Sequence, residues 1–108
     1  MSVDWAYLYG HPGADPVADR VVLDRGGQRT TLVPVPDESL AAPVAVALVE
    51  QGVGLIELCG GFSVQDAARV IAAVDGRVPV GHVTFGAESV RGAAAYSAQF
   101  EAEQARDS

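Results

Sequence analysis

"DESLAAPVAVALVEQGVGLIELCGGFSVQDAARVIAAVDGRVPVGHVTFG", residues 37–86, decides the fold. Residues 37–52 have the composition of a helix, with Asp37 or Ser39 as its cap and Gly52 as its stop. Pro43 conflicts with a start at Asp37, because proline removes an early backbone bond, so the helix begins near Pro43 or bends there. "VGLIEL" (53–58) then reads as a buried strand. "SVQDAARVIAAVDG" (63–76) opens with Ser63 and Asp66 at capping-box spacing, and Val64, Ala67, Ala68, Ile71 and Val74 are expected on one helical face. "VPVGHVTFG" (78–86) reads as the next strand. Helix, strand, helix and strand joined by short links predict parallel βαβ units with right-handed crossovers.

The rest of the chain extends this unit in both directions. "ESVRGAAAYSAQFEAEQ" (88–104) reads as a last, weakly amphipathic helix, and the final residues, 106–108, are expected to fray. Upstream, "RVVLDRGGQRTTLVPV" (20–35) places two β-branched runs around Gly26-Gly27, the pattern of a hairpin. Pro34 limits the second run to a strand end or a sheet edge. "VDWAYLYG" (3–10) reads as an aromatic strand and "HPGADP" (11–16) as a loop. The expected architecture is one α/β domain over residues 1–105. It is a small, mostly parallel sheet of four to five strands with about three helices, preceded by the aromatic strand and the short hairpin.

Composition narrows the function classes. The chain has 108 residues, 49% of them hydrophobic, enough for a core without disulfides. Its net charge of -7 comes from fourteen acids and seven arginines with no lysine, a surface that repels phosphate backbones. Nucleic acid is therefore not an expected partner. Cys59 is the single cysteine and excludes an intrachain disulfide. "MSVDWAYLYG" lacks the pattern of a signal peptide, and no apolar run reaches the roughly 18 residues of a membrane span. These features predict a cytoplasmic protein without membrane contact.

In open parallel sheets, ligands bind beyond the carboxyl ends of the strands. "HPGAD", "PDES", "CGGFS" and "FGAES" are expected to meet there. Glu57 and Cys59, two apart, share a strand face. Partial desolvation there raises a carboxylate's pKa toward values useful in proton transfer. Gly60 and Gly61 leave backbone amides uncovered, and Ser63 opens a helix whose free amides suit an anion. A structural acid paired with an arginine or with the amides of a neighbouring loop is the competing reading of Glu57, and a buried hydrophobe that of Cys59. His82, on the face of Val80 and Thr84, would meet Glu57 or Cys59 if the two strands are neighbours; otherwise it is a hydrogen-bonded histidine inside the sheet. Tyr9, His11, Phe62 and Glu88 complete the candidate ligand-binding set. The two histidines and one cysteine show no metal-ligand spacing, so neither metal nor cofactor is expected.

As a whole, the chain resembles a family of small bacterial α/β proteins without an established activity. "HPGADP", "GVGLIELCGGFS" and "VPVGHVTFG" carry the resemblance, "IELCGGF" most specifically, up to about residue 90. Pro43 and His82 are where this chain is expected to differ. Locally, "GLIELCGGFS" is similar to the catalytic strand and loop of the tryptophan synthase α-subunit barrel. That likeness implies an acid/base role for Glu57 and places Phe62 and Ser63 on the loop. This chain departs from it with Gly61 in place of a proline and Val64-Gln65 in place of Asp-Pro. A complete (β/α)₈ barrel takes about 250 residues, so the likeness is confined to the strand end.

The reading that follows is a small-molecule-binding protein with Glu57 as general acid/base, of lyase, isomerase or cyclase type. Cys59 and His82 are its further catalytic candidates, and its ligand is a small molecule, anionic if the Gly60–Ser63 cradle is used. A non-catalytic small-acid binding module and an accessory subunit are the alternatives. A homo-oligomer is expected in each case, because a short sheet leaves edges to cover.

Overall fold

A computed structural model describes residues 3–107 of the chain; Met1, Ser2 and Ser108, the ends of the expected domain and tail, lie outside them. The chain forms one five-stranded sheet with strands β1 (Val3–Gly10), β2 (Val21–Arg25), β3 (Gln28–Val35), β4 (Ile56–Leu58) and β5 (Val80–His82). Helix α1 (Ala41–Glu50) joins β3 to β4, α2 (Val64–Val74) joins β4 to β5, and α3 (Val90–Asp107) follows β5. The strand order is β2-β3-β1-β4-β5, parallel throughout except for the antiparallel β2–β3 edge. This is the mostly parallel α/β architecture expected.

Local chemistry explains most boundaries. Gly26 and Gly27 both take positive φ (63° and 79°), the conformation a two-residue hairpin turn demands. Pro34 pairs with Tyr9 beyond Val21–Leu32, the last β2–β3 pair, so no ladder bond to β2 needs its missing N–H. Asp37 caps a single 3₁₀ turn (Glu38–Leu40), accepting from the Ser39 amide at 2.8 Å and the Ser39 hydroxyl at 2.7 Å. That hydroxyl first, and the amide second, hold the Asp37 carboxyl below its ordinary range. α1 begins only at Ala41, which puts Pro43 in its first turn, where a missing amide costs little. Ser63 caps α2 through the Asp66 amide at 3.0 Å.

Two expectations are corrected. β4 and β5 are only three residues each, shorter than the stretches 53–58 and 78–86. The lead-in to β4 is nonetheless held by hydrogen bonds between Gly54 and Asp4 and between Leu55 and Ala6. The buried stripe of α2 is Ala67, Val70 and Val74; Val64 and Ile71 are exposed. Phe62 is buried immediately before the Ser63 cap, and this anchor sets the rotation at which the helix enters.

The crossovers β3-α1-β4 and β4-α2-β5 step in the same direction across the sheet. Their common hand puts α1 and α2 side by side on one face. Ala6 and Leu8 of β1, Val33 and Val35 of β3, and Ile56 and Leu58 of β4 point into that layer. There they meet Ala41, Ala45 and Leu48 of α1 and the α2 stripe. Each large side chain fully withdrawn from water here contributes about 1.5–3 kcal/mol. The opposite face of the sheet carries no helix, since every described residue of α3 is exposed except Ala93, which is half-buried.

Candidate functional site

Strand register places Glu57 on the helix-free face, one strand in from the β5 edge. Side chains alternate along a strand, so with Ile56 and Leu58 in the core, Glu57 must point the other way. Across the sheet it lies between Tyr7 of β1 and Gly81 of β5. The stem of Glu57 lies over Gly81, its Cγ at ordinary contact distance (3.7 Å) from the place a Cβ would take. Glu57 is half-buried, and among the described residues no ion pair forms at its carboxylate. The arginine partner of the structural reading is not seen.

Tyr7, which the sequence shows only as part of an aromatic strand, stands directly beside Glu57. Burial pushes its phenol pKa up, and the nearby Cys59 thiol and Glu57 carboxylate push it further. Its ring stacks on Tyr9, with centroids 6.2 Å apart and planes 21° from parallel. Tyr9 in turn lines a concavity of about 360 Å³ together with His11, Gly13, Asp19 and Pro34. A strip of chemically capable groups thus runs from Glu57 through Tyr7 and Tyr9 to the rim at His11.

"PDES", "CGGFS" and "FGAES" come together at the carboxyl ends of the strands, with an unexpected occupant, while "HPGAD" lines the concavity beside Tyr9 and Pro34. The carboxylate of Glu38, from "PDES", lies against Gly10 and Gly61: a Cβ there would be 2.5 Å and 3.4 Å from its oxygens. Cys59 Sγ is likewise 3.5 Å from the Gly61 Cβ position. Phe85, from "FGAES", lies on Gly60, 2.8 Å from the place a Cβ would take. Gly10 and Gly60 therefore make room for side chains of the chain itself, whereas Gly61 stands at ordinary contact distance from both neighbours. Glu38 puts negative charge where an anionic ligand was expected. No pattern within "PDES" distinguishes Glu38 from a surface acid; only the meeting of three loops does.

Other candidates fall elsewhere. β4 and β5 are neighbours, yet His82 pairs with Leu58 and so faces the helices, opposite to Glu57. Its Nε2 is 3.0 Å from the Phe62 carbonyl oxygen, the hydrogen-bonded histidine of the competing reading. No Glu57–His82 couple is formed. Phe62 is a core residue rather than a pocket wall, and the Ser63 hydroxyl is engaged as the α2 cap. Glu88 folds back on its own turn, its carboxylate against Gly86. Cys59 is free, half-buried and packed against the core at the rim.

Among the described residues, no group of three or more His, Cys, Asp or Glu side chains is placed to hold a metal ion. Among the same residues, no helix is long and apolar enough to cross a membrane. No curated protein and no solved structure matches the chain. Residues 3–98, spanning both the helix-free face and the glycine loops, match a family of unknown function (DUF6506), and the chain belongs to that family.

Proposed function

We propose that the helix-free face binds a small molecule and that Glu57 acts on it as a general acid/base, in chemistry of lyase, isomerase or cyclase type. The observation that carries this reading is the setting of Glu57: half-buried, beside a phenol with a raised pKa, and without an ion-pair partner among the described residues. A carboxylate in that setting is free to exchange a proton with a ligand. The Tyr7 phenol, neutral at ordinary pH, donates a hydrogen bond to a carbonyl or hydroxyl oxygen. The stacked Tyr7–Tyr9 pair supplies an apolar floor toward the rim concavity. With Glu38 against Gly61 and a chain charge of -7, the preferred ligand is neutral, bearing hydroxyl or carbonyl groups rather than phosphate.

Native mass spectrometry of freshly purified protein tests the reading. A reproducible low-mass adduct on the native chain, lost in both Glu57→Gln and Tyr7→Phe while each variant keeps its thermal stability, is the expected result. An adduct that survives both substitutions would place the ligand elsewhere. A Glu57→Gln variant that unfolds at markedly lower temperature would make the carboxylate structural.

A further inference from the structure

We infer that the helix-free face is an interface with a second copy of this chain, and that each copy lays its α3 across the sheet of the other. Among the described residues, two apolar surfaces stand open to water. The first is the sheet face carrying Trp5, Tyr7, Leu23, Leu32 and Leu55, in which register places only two charged residues, Arg25 and Glu57, of opposite sign. The second is α3, whose apolar stripe of Val90, Tyr96 and Phe100 is 52%, 73% and 45% exposed. Most helical stability in proteins comes from packing of an apolar face, and the described side chains of α3, Ala93 excepted, are exposed. The chain's radius of gyration is 14.7 Å, where about 13 Å is expected of a compact chain of this length, as a helix standing off the body requires.

Dimensions favour reciprocal exchange over contact between the faces alone. Five strands at about 4.8 Å spacing span roughly 19 Å, and a projected face of this kind covers on the order of 400 Å². An 18-residue helix is about 27 Å long and about 10 Å wide, enough to cross that sheet, and one side offers roughly 270 Å². A helix of that size covers only about 270 Å² of the face, so reciprocal exchange buries about 540 Å² per partner and about 1,080 Å² in all, past the roughly 1,000 Å² a specific interface needs, whereas the faces alone would bury about 800 Å² in all. A two-fold axis lets each chain give a helix and receive one, so both open surfaces enter a single symmetric contact. The face itself carries little charge, so burying it against a helix costs little charge desolvation. The inference stands whether or not Glu57 is catalytic, because a helix covering about 270 Å² leaves part of a face of about 400 Å² open to a ligand.

Sedimentation and light scattering on the full chain, with Trp5 as an internal reporter, decide the matter. Trp5 is the sole tryptophan and stands on the face in question. The expected mass is twice 11.1 kDa for the native chain and 11.1 kDa for Phe100→Asp and for Leu23→Asp, both at solvent-exposed positions. Trp5 emission moves to longer wavelength in both variants, with the far-ultraviolet circular dichroism retained. Ile71→Asp, on the outer side of α2, stays dimeric. A native chain that is monomeric at its highest soluble concentration overturns the inference, leaving the face to another partner. A dimer broken by Leu23→Asp but not by Phe100→Asp means sheets pairing without α3, and overturns it as well. So does an assembly larger than two, or one that neither substitution disturbs.

Discussion

Tyr7 and Glu57 face each other across one strand boundary, and burial first, then Cys59 and Glu57, hold the Tyr7 phenol's pKa up. The raised Tyr7 pKa carries a pH signature whose sign follows from linkage. The folded chain holds the phenolic proton more tightly than the unfolded chain, so this stabilisation is fully present below the ordinary value of 10.0 and is lost as pH rises through the higher folded value. Spectrophotometric titration of the three tyrosines should therefore show one late-ionising phenol, absent in Tyr7→Phe. Loss of the late step in Tyr9→Phe instead would assign the perturbed phenol wrongly. For Glu57 the expectation is the opposite of a structural acid's. Glu57→Gln should change the unfolding free energy by no more than about 0.5 kcal/mol, because no ion pair is lost. A urea denaturation series on that variant measures it.

At the scale of elements, α2 offers the sharpest contrast between pattern and packing. Ile71 belongs to a well-formed apolar periodicity, yet it is 52% exposed, while Val70 is fully buried. The periodicity allows more than one rotation about the helix axis, and the buried Phe62 with the Ser63 cap selects one. Ile71→Ala should accordingly be close to neutral, whereas Leu48→Ala, in the α1 layer against the sheet, should cost about 2–5 kcal/mol. Equal losses at the two positions would mean that α2 sits at the rotation its periodicity suggests. Ser63→Ala should cost about 1 kcal/mol by freeing the Asp66 amide. A substitution of no effect there would show that water replaces the cap at no cost.

For the molecule as a whole, charge is spread thinly and paired rarely. Among the described residues the ion pairs are Arg69 with Asp66 and Arg106 with Glu103, each within one helical turn and solvent-exposed on at least one side. Such pairs contribute little, about 0–1 kcal/mol. The net charge of -7 repels itself throughout the chain. Salt shortens the reach of that repulsion to about 10 Å at 0.1 M. The melting temperature should therefore rise as sodium chloride is added from low ionic strength, as thermal scans would show. A fall would mean that attractive pairs outweigh the repulsion.

The order of strands and helices, the Gly26-Gly27 turn, the delayed start of α1 and the Ser63 cap were all legible in the chain. Each depends on residues a few positions apart, and local backbone chemistry decides it. That Glu57 points away from its apolar neighbours was legible too, since alternation along one strand requires it. Which groups stand beside Glu57 was not legible. That depends on the register between β4, β1 and β5, and a shift of one residue in β5 would have brought His82 rather than Gly81 to its side. The placing of Glu38 over Gly10 and Gly61 likewise needs three loops, far apart in the chain, to meet. Contacts of that kind carry no local pattern. They come from the way the α1 and α2 crossovers close over one face of the sheet, which also leaves the other face bare.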